Sequence, residues 1–199
     1  MLFRSLRAAA ARCHGCDLWR EATQTVFGRG PAASRAVLVG EQPGDFEDRQ
    51  GAPFVGPAGE VLDRALSEAG LPRERIYVTN AVKHFKFVRT PKRRIHQTPG
   101  PIEIAACRPW LDAELAVLRP QVLVLLGATA SKALLGPSFR LMQERGRFLP
   151  SRLAPRVLAT MHPSAILRAE EAAGKDRLYG YLRADLALAA SELEAAGAV

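Results

Sequence analysis

Four short apolar runs, each closed by a small or polar cluster, constrain this chain more than any other feature. They are AVLVG (36–40), IYVTN (76–80), VLVLLG (122–127) and VLATMH (157–162). They are nearly continuous in apolar character, as strands of a parallel sheet are when helices cover both faces. Helical spacing fills the gaps. Val61, Leu62, Ala65, Leu66 and Ala69 follow the first run, and Ile104, Leu111, Leu115 and Leu118 precede the third. The segment ATASKALLG comes next, and Leu178, Leu182, Leu186, Ala189 and Leu193 mark one face of a last helix from about Asp176 to Ala196. The alternation predicts an α/β fold, a three-layer α/β/α sandwich around a central four-stranded parallel sheet. With no internal repeat or low-complexity linker, residues 1–199 read as a single domain.

The places where the runs stop carry chemistry. They end in Gly40-Glu41-Gln42, Thr79-Asn80, Gly127-Ala128-Thr129 and Thr160-Met161-His162. Parallel strands all finish on one edge, and open α/β sheets bind ligands in the crevice there. Glu41, Asn80 and His162 are therefore expected to converge. A carboxylate, an amide and an imidazole in one cleft make a workable catalytic set. Asn and Glu also serve as turn and cap residues at strand ends, and periodicity supports either reading equally.

The segment RTPKRRIHQTPG (89–100) adds a dense run of charge, Lys92, Arg93 and Arg94, that leads into His96 between Pro91 and Pro99. It reads as a basic, non-helical loop. The chain carries 28 Lys and Arg against 20 Asp and Glu, a net charge of +8. That favours a polyanionic partner, because phosphates bind such cations with release of counterions. No apolar run approaches the roughly 18–20 residues of a membrane span, so no membrane partner is expected. The opening MLFRSLRAAAARCHGC lacks the sustained apolar core of a secretory signal and reads as an amphipathic helix. Three cysteines, a CxxC pair at Cys13 and Cys16 and a separate Cys107, do not form a disulfide framework. They read as an intracellular metal or redox arrangement, which points to a cytoplasmic location.

Four motifs, in this order, carry a resemblance: VGEQPGDFEDRQGAPFVGPAG (39–59), YVTNAVKHFKF (77–87), EIAACRPWL (103–111) and MHPSAIL (161–167). Together they resemble the family 4 branch of the uracil-DNA glycosylase superfamily, from Cys13 to about Leu167. The GEQPG variant and the inserted KRRIH resemble the UdgX branch, whose members become covalently attached to uracil-containing DNA. The resemblance implies cleavage of the bond between uracil N1 and deoxyribose C1′ after the base has left the stack. It implies that Phe54 stacks on uracil, that Asn80 pairs with its Watson–Crick edge and that His162 donates to O2, where negative charge develops. Gly40, Gln42 and Pro43 would line the pocket. Glu41 would stabilise the oxocarbenium sugar or orient what attacks it.

The resemblance also gives the basic loop a task. Lys92, Arg93 and Arg94 would grip phosphates, and His96 would attack C1′ in place of water. The implied partner is uracil-containing DNA, preferably single-stranded, bound by a monomer. The implied cofactor is a 4Fe–4S cluster held by Cys13, Cys16, His84 and Cys107, with structural zinc as the alternative that the donor set also permits. His14, inside the CxxC, is expected to point away. An ordinary turning-over family 4 glycosylase and a non-catalytic, metal-stabilised nucleic-acid-binding module are the competing functions.

Overall fold

A computed structural model describes residues 2–197; Met1, Ala198 and Val199, the ends of the expected domain, lie outside the described residues. The strands are β1 (Ala36–Gly40), β2 (Ile76–Asn80), β3 (Phe87–Arg89), β4 (Arg94–His96), β5 (Val122–Leu126), β6 (Phe148–Leu149) and β7 (Arg156–Thr160). The helices are α1 (Leu2–Ala10), α2 (Asp45–Gln50), α3 (Pro57–Glu68), α4 (Pro101–Leu118), α5 (Ala128–Leu135), α6 (Leu141–Glu144), α7 (Pro163–Arg168) and α8 (Ala172–Ala195).

The main sheet runs β2-β1-β5-β7-β6. The first four strands are parallel, as their apolar runs predict. The expected count of four needs correction to five, because β6 pairs antiparallel with the outer edge of β7 through Phe148 and Leu149. Two residues are too short to leave a periodic trace in sequence.

Alternate side chains along each strand serve opposite layers, as the period of two demands. Leu38, Val78, Val124 and Leu158 pack with Leu62 and Leu66 of α3, Ile166 of α7 and Leu182 and Leu186 of α8. Val37, Tyr77, Leu123 and Val157 pack on the other face with Leu111 and Leu115 of α4 and Ala130 of α5. Each such side chain contributes roughly 1.5–3 kcal/mol by leaving water. The strand order places β1 beside both β2 and β5. The chain leaves β1 for one side and returns to the other, so a crevice opens at the carboxyl ends of these strands.

The expected basic loop is instead a hairpin. β3 and β4 form a separate antiparallel pair, with Phe87 opposite His96 and Arg89 opposite Arg94. Its turn is closed by Thr90, whose N–H and hydroxyl both donate to the Arg93 carbonyl at 2.9 and 2.7 Å.

Candidate active site

At the crevice, Asn80 ends β2, Glu41 follows β1 and His162 follows β7. A cavity of about 230 Å³ is lined by Gln42, Phe54, Asn80, His96, His162 and Arg168, among others. A neighbouring cavity of about 580 Å³ shares Gln42, His96, His162 and Arg168 and adds Glu41. The three residues expected to converge do so.

Asn80 is 2% exposed, and its Oδ1 has no hydrogen-bond partner. A buried amide oxygen left bare costs about 1–3 kcal/mol unless a ligand satisfies it. Gly40 was expected to line the pocket; a first correction is that it is not among the lining residues but makes room for them. A Cβ there would stand 2.4 Å from Asn80 Oδ1 and 2.6 Å from Phe54 Cζ. Phe54 holds a left-handed backbone, φ 54°, which a bulky side chain adopts only under constraint. The constraints are visible. Glu47 Oε1 accepts the N–H groups of Val55 and Gly56 at 3.0 and 2.9 Å, and Arg73 Nη2 donates to the Pro53 carbonyl at 3.0 Å. Gly59 must lack a Cβ, which would fall 2.0 Å from the Phe54 carbonyl oxygen. The Phe54 ring lies 5.6 Å from that of His162, inclined by 34°.

His162 caps α7 and is followed by Pro163 at the first helical position, as the HPS sequence predicts. Its Nδ1 accepts the Ser164 N–H at 3.2 Å and lies 2.8 Å from Ser164 Oγ. Arg168 Nη1 in turn donates to Ser164 Oγ at 2.9 Å. With Nδ1 accepting, the ring proton sits on Nε2, which leaves a neutral donor. Burial, then the charge of Arg168, push the His162 pKa down to about 4, so the ring is neutral at ordinary pH. Ser164 and Arg168 are functional candidates that sequence reasoning missed. Their signal was present: both follow the HPS histidine, and they stand one helical turn apart.

His96 Nε2 is 3.3 Å from Glu41 Oε1, which has no hydrogen-bond partner of its own. Burial lowers the His96 pKa, Glu41 works against that, and Arg168 adds to it. The hairpin holds this ring by two anchors. Gln42 Nε2 donates to the carbonyls of Lys86 and Gln97 at 3.2 and 2.9 Å, and its Oε1 accepts the Lys86 N–H at 3.1 Å. Gln42 lines the cavity, but its amide is committed to the base of the hairpin. The expectation that it lines the pocket holds, and its hydrogen bonds brace the hairpin as well. Pro43 is buried and is not among the lining residues, a second correction.

Arg94 is the second anchor and the third correction. Its side chain is 9% exposed; it pairs with Asp45 and, at 2.6 Å, with Asp48 of α2, and it lies over the rings of Phe85 and Phe87. Two carboxylates already engage its guanidinium, so it is not free for a phosphate as expected. Lys92 and Arg93 stay exposed and line an open surface hollow with Arg49 and Arg89.

A second cluster surrounds the segment Lys83-His84 that leads from β2 into the hairpin. Gly15, inside the CxxC, packs so that a Cβ would stand 3.8 Å from the Ala106 carbonyl, beside Cys107. Cys107 accepts the Lys83 N–H at 3.4 Å, and Cys13 accepts Trp110 Nε1–H at 3.1 Å. Burial first, and then the neighbouring thiols, push the Cys107 pKa up to about 11. Burial raises that of Cys16 and lowers that of His84. His84 Nδ1 is buried without a partner. His14 stacks near Trp19, ring centres 4.1 Å apart. Among the described residues no group of three or more His, Cys, Asp or Glu closes around a single-ion position.

The family model for the uracil DNA glycosylase superfamily matches residues 27–184. The chain is 40% identical over 158 residues, 79% of each protein, to the type-4 uracil-DNA glycosylase of Thermotoga maritima. It is 33% identical over 195 residues to that of Pyrobaculum aerophilum, covering 94% of this chain and 93% of the relative. It is 35% identical over 163 residues, 78% of this chain and 71% of the relative, to that of Sulfurisphaera tokodaii. With the pocket at the crevice of its sheet and this similarity along most of its length, the chain is a DNA glycosylase and belongs to the family 4 branch of the uracil DNA glycosylase superfamily.

Proposed function

We propose that this glycosylase excises uracil from DNA and then becomes joined to the abasic sugar through His96. The flipped base enters beside Phe54. Asn80 Oδ1, which lacks a partner, accepts from uracil N3–H, and the amide N–H donates to O4; cytosine would present the wrong pattern. As the C1′–N1 bond breaks, its electron pair goes to uracil, and His162 Nε2–H stabilises the charge that reaches O2. Glu41 faces the cationic sugar left behind. A ring nitrogen of His96 donates its lone pair to C1′; the ring then loses the proton on its other nitrogen to solvent, and the departed uracil anion takes one up from solvent. The product is a neutral alkylated imidazole with no good path to departure. Lys92 and Arg93 contact flanking phosphates, and single strands are preferred because unstacking costs least there. One chain carries every group named here, and a monomer suffices for the reaction.

The observation that carries this reading is His96 Nε2 at 3.3 Å from Glu41, at a cavity shared with Asn80 and His162 and anchored on both sides. One observation favours ordinary turnover instead: the His96 side chain is 48% exposed, so water can compete for the sugar. Incubation with a uracil-containing single strand, followed by denaturing electrophoresis and intact mass spectrometry, decides between them. The proposal expects a denaturation-resistant adduct from the wild type. It expects His96→Ala to lose the adduct while still releasing free uracil. An adduct that survives in His96→Ala refutes the assignment.

We further infer that Cys13, Cys16, Cys107 and His84 hold a 4Fe–4S cluster. The soft donor set, the mutual influence of the thiols and the orphaned His84 Nδ1 fit that group. Zinc fits less well, because its donors must surround one point at about 2.0–2.3 Å, and no single-ion arrangement is formed among the described residues. When bound, the cluster supplies a cross-link from the N-terminal segment to the strand-end segment that leads into the His96 hairpin.

A further inference from the structure

We propose that Thr25 makes His84 a cluster ligand by fixing its tautomer, and that the coordinating atom is Nδ1. This rests on the iron–sulfur reading and adds a positioning residue to it.

The argument is a count of protons. Thr25 Oγ1 lies 3.0 Å from the Ala10 carbonyl oxygen and 2.8 Å from His84 Nε2. A carbonyl only accepts, and a hydroxyl owns one proton. That proton goes to Ala10. The contact with His84 is then satisfied only if Nε2 carries the hydrogen and donates it. A neutral imidazole has one N–H, so Nδ1 keeps a lone pair. His84 is 4% exposed, and Nδ1 has no hydrogen-bond partner. A buried lone pair with nothing to receive it is an arrangement that proteins avoid, unless a metal takes it.

The same Ala10 carbonyl accepts the Cys13 N–H at 3.0 Å. One relay therefore joins His84 Nε2–H, the Thr25 hydroxyl, the Ala10 carbonyl and the backbone of Cys13. It ties together two inferred ligands that are distant in sequence. Val26 N–H, on the Lys83 carbonyl at 2.8 Å, holds the Thr25 segment beside the His84 segment. Thr25 is a positioning residue, its hydroxyl proton turned to Ala10 and its oxygen to His84 Nε2–H. It acts through the ring, as outer partners of metal-bound histidines do when they set tautomer and orientation.

The test uses the full chain, purified without oxygen after expression with iron. Thr25→Val keeps the shape and removes the relay; Thr25→Ser restores it. Iron and sulfide content and visible absorption are followed during challenge with an iron chelator. Loss of cluster is expected to be about tenfold faster, or more, in Thr25→Val, and close to wild type in Thr25→Ser. Independently, wild-type protein labelled with 15N at histidine Nδ1 is reduced with dithionite and examined by pulsed electron paramagnetic resonance. Coupling of the label to the cluster is expected. Equal chelator rates in Thr25→Val and wild type, failure of Thr25→Ser to rescue, or an uncoupled Nδ1 label would each overturn the proposal. If Thr25→Val does not fold, the label measurement still decides. Wild-type protein that takes up no iron and sulfide would overturn the cluster reading, and this proposal with it. Wild-type protein with a cluster and an uncoupled label overturns this proposal alone.

Discussion

Replacing Lys83 by Met tests the buried layer beneath the pocket. Lys83 is 1% exposed and Glu114 is 0% exposed. All three ammonium protons are used: one on Thr79 Oγ1 at 2.7 Å, one on the Asn80 carbonyl at 2.8 Å and one on Glu114. Glu114 also receives Tyr77 Oη–H at 2.7 Å, Thr79 Oγ1–H at 2.9 Å and the Gly28 N–H at 3.1 Å. Burial and this carboxylate together drive the Tyr77 phenol far above its ordinary range, so it stays a donor. Lys83→Met fills the space but leaves a buried carboxylate without its cation and the Asn80 carbonyl without a donor. Breaking one side of such a pair costs about 3–5 kcal/mol. For a domain of this size that is a fall in Tm of roughly 6–20 °C. Adding Glu114→Gln removes the unpaired charge, so Lys83→Met/Glu114→Gln should recover at least about half of the loss. Urea denaturation at pH 7, followed by circular dichroism, measures both. A single variant that costs under about 1 kcal/mol, or a double variant no more stable than the single, would refute the claim that charge pairing dominates here.

Gly40→Ala should leave the chain folded and reduce uracil release by about a hundredfold or more, because its Cβ would lie 2.4 Å from Asn80 Oδ1 and 2.6 Å from the Phe54 ring; assays of free base and Tm together check this. Both site histidines have lowered pKa values, so their useful neutral forms persist below the ordinary 6.5. Adduct formation should therefore be flat above that value and fall on acidification as His96 takes a proton; a rate that rises with acid would contradict the nucleophile. For His162 the folded pKa of about 4 lies below the ordinary 6.5. Its contribution to stability is complete above 6.5 and is lost as pH falls toward about 4, so His162→Gln should flatten the acid limb of a stability profile.

The parallel strands were legible because burial on both faces makes them continuously apolar, and β1 and β2 run over the ranges that their apolar segments mark. Helices α3, α4 and α8 were legible because one apolar face recurs at helical spacing. The convergence of Glu41, Asn80 and His162 followed from a rule about parallel strand ends, without knowledge of which strand neighbours which. Short elements left no such trace: β3, β4 and β6 have three residues or fewer, below the length at which a period of two can be told from chance.

Sequence by itself determined the layer architecture, the edge that carries the site and the residue types that gather there, because each depends on local periodicity and on the direction of the chain. Only the tertiary structure decided who partners whom. Arg94 pairs with Asp45 and Asp48, Gln42 braces the hairpin backbone from the cavity wall, and Thr25 stands against Nε2 of His84. The physical reason is that a hydrogen bond or ion pair is chosen by competition among groups brought close in space, and residues distant along the chain carry no local mark of the competitor that wins.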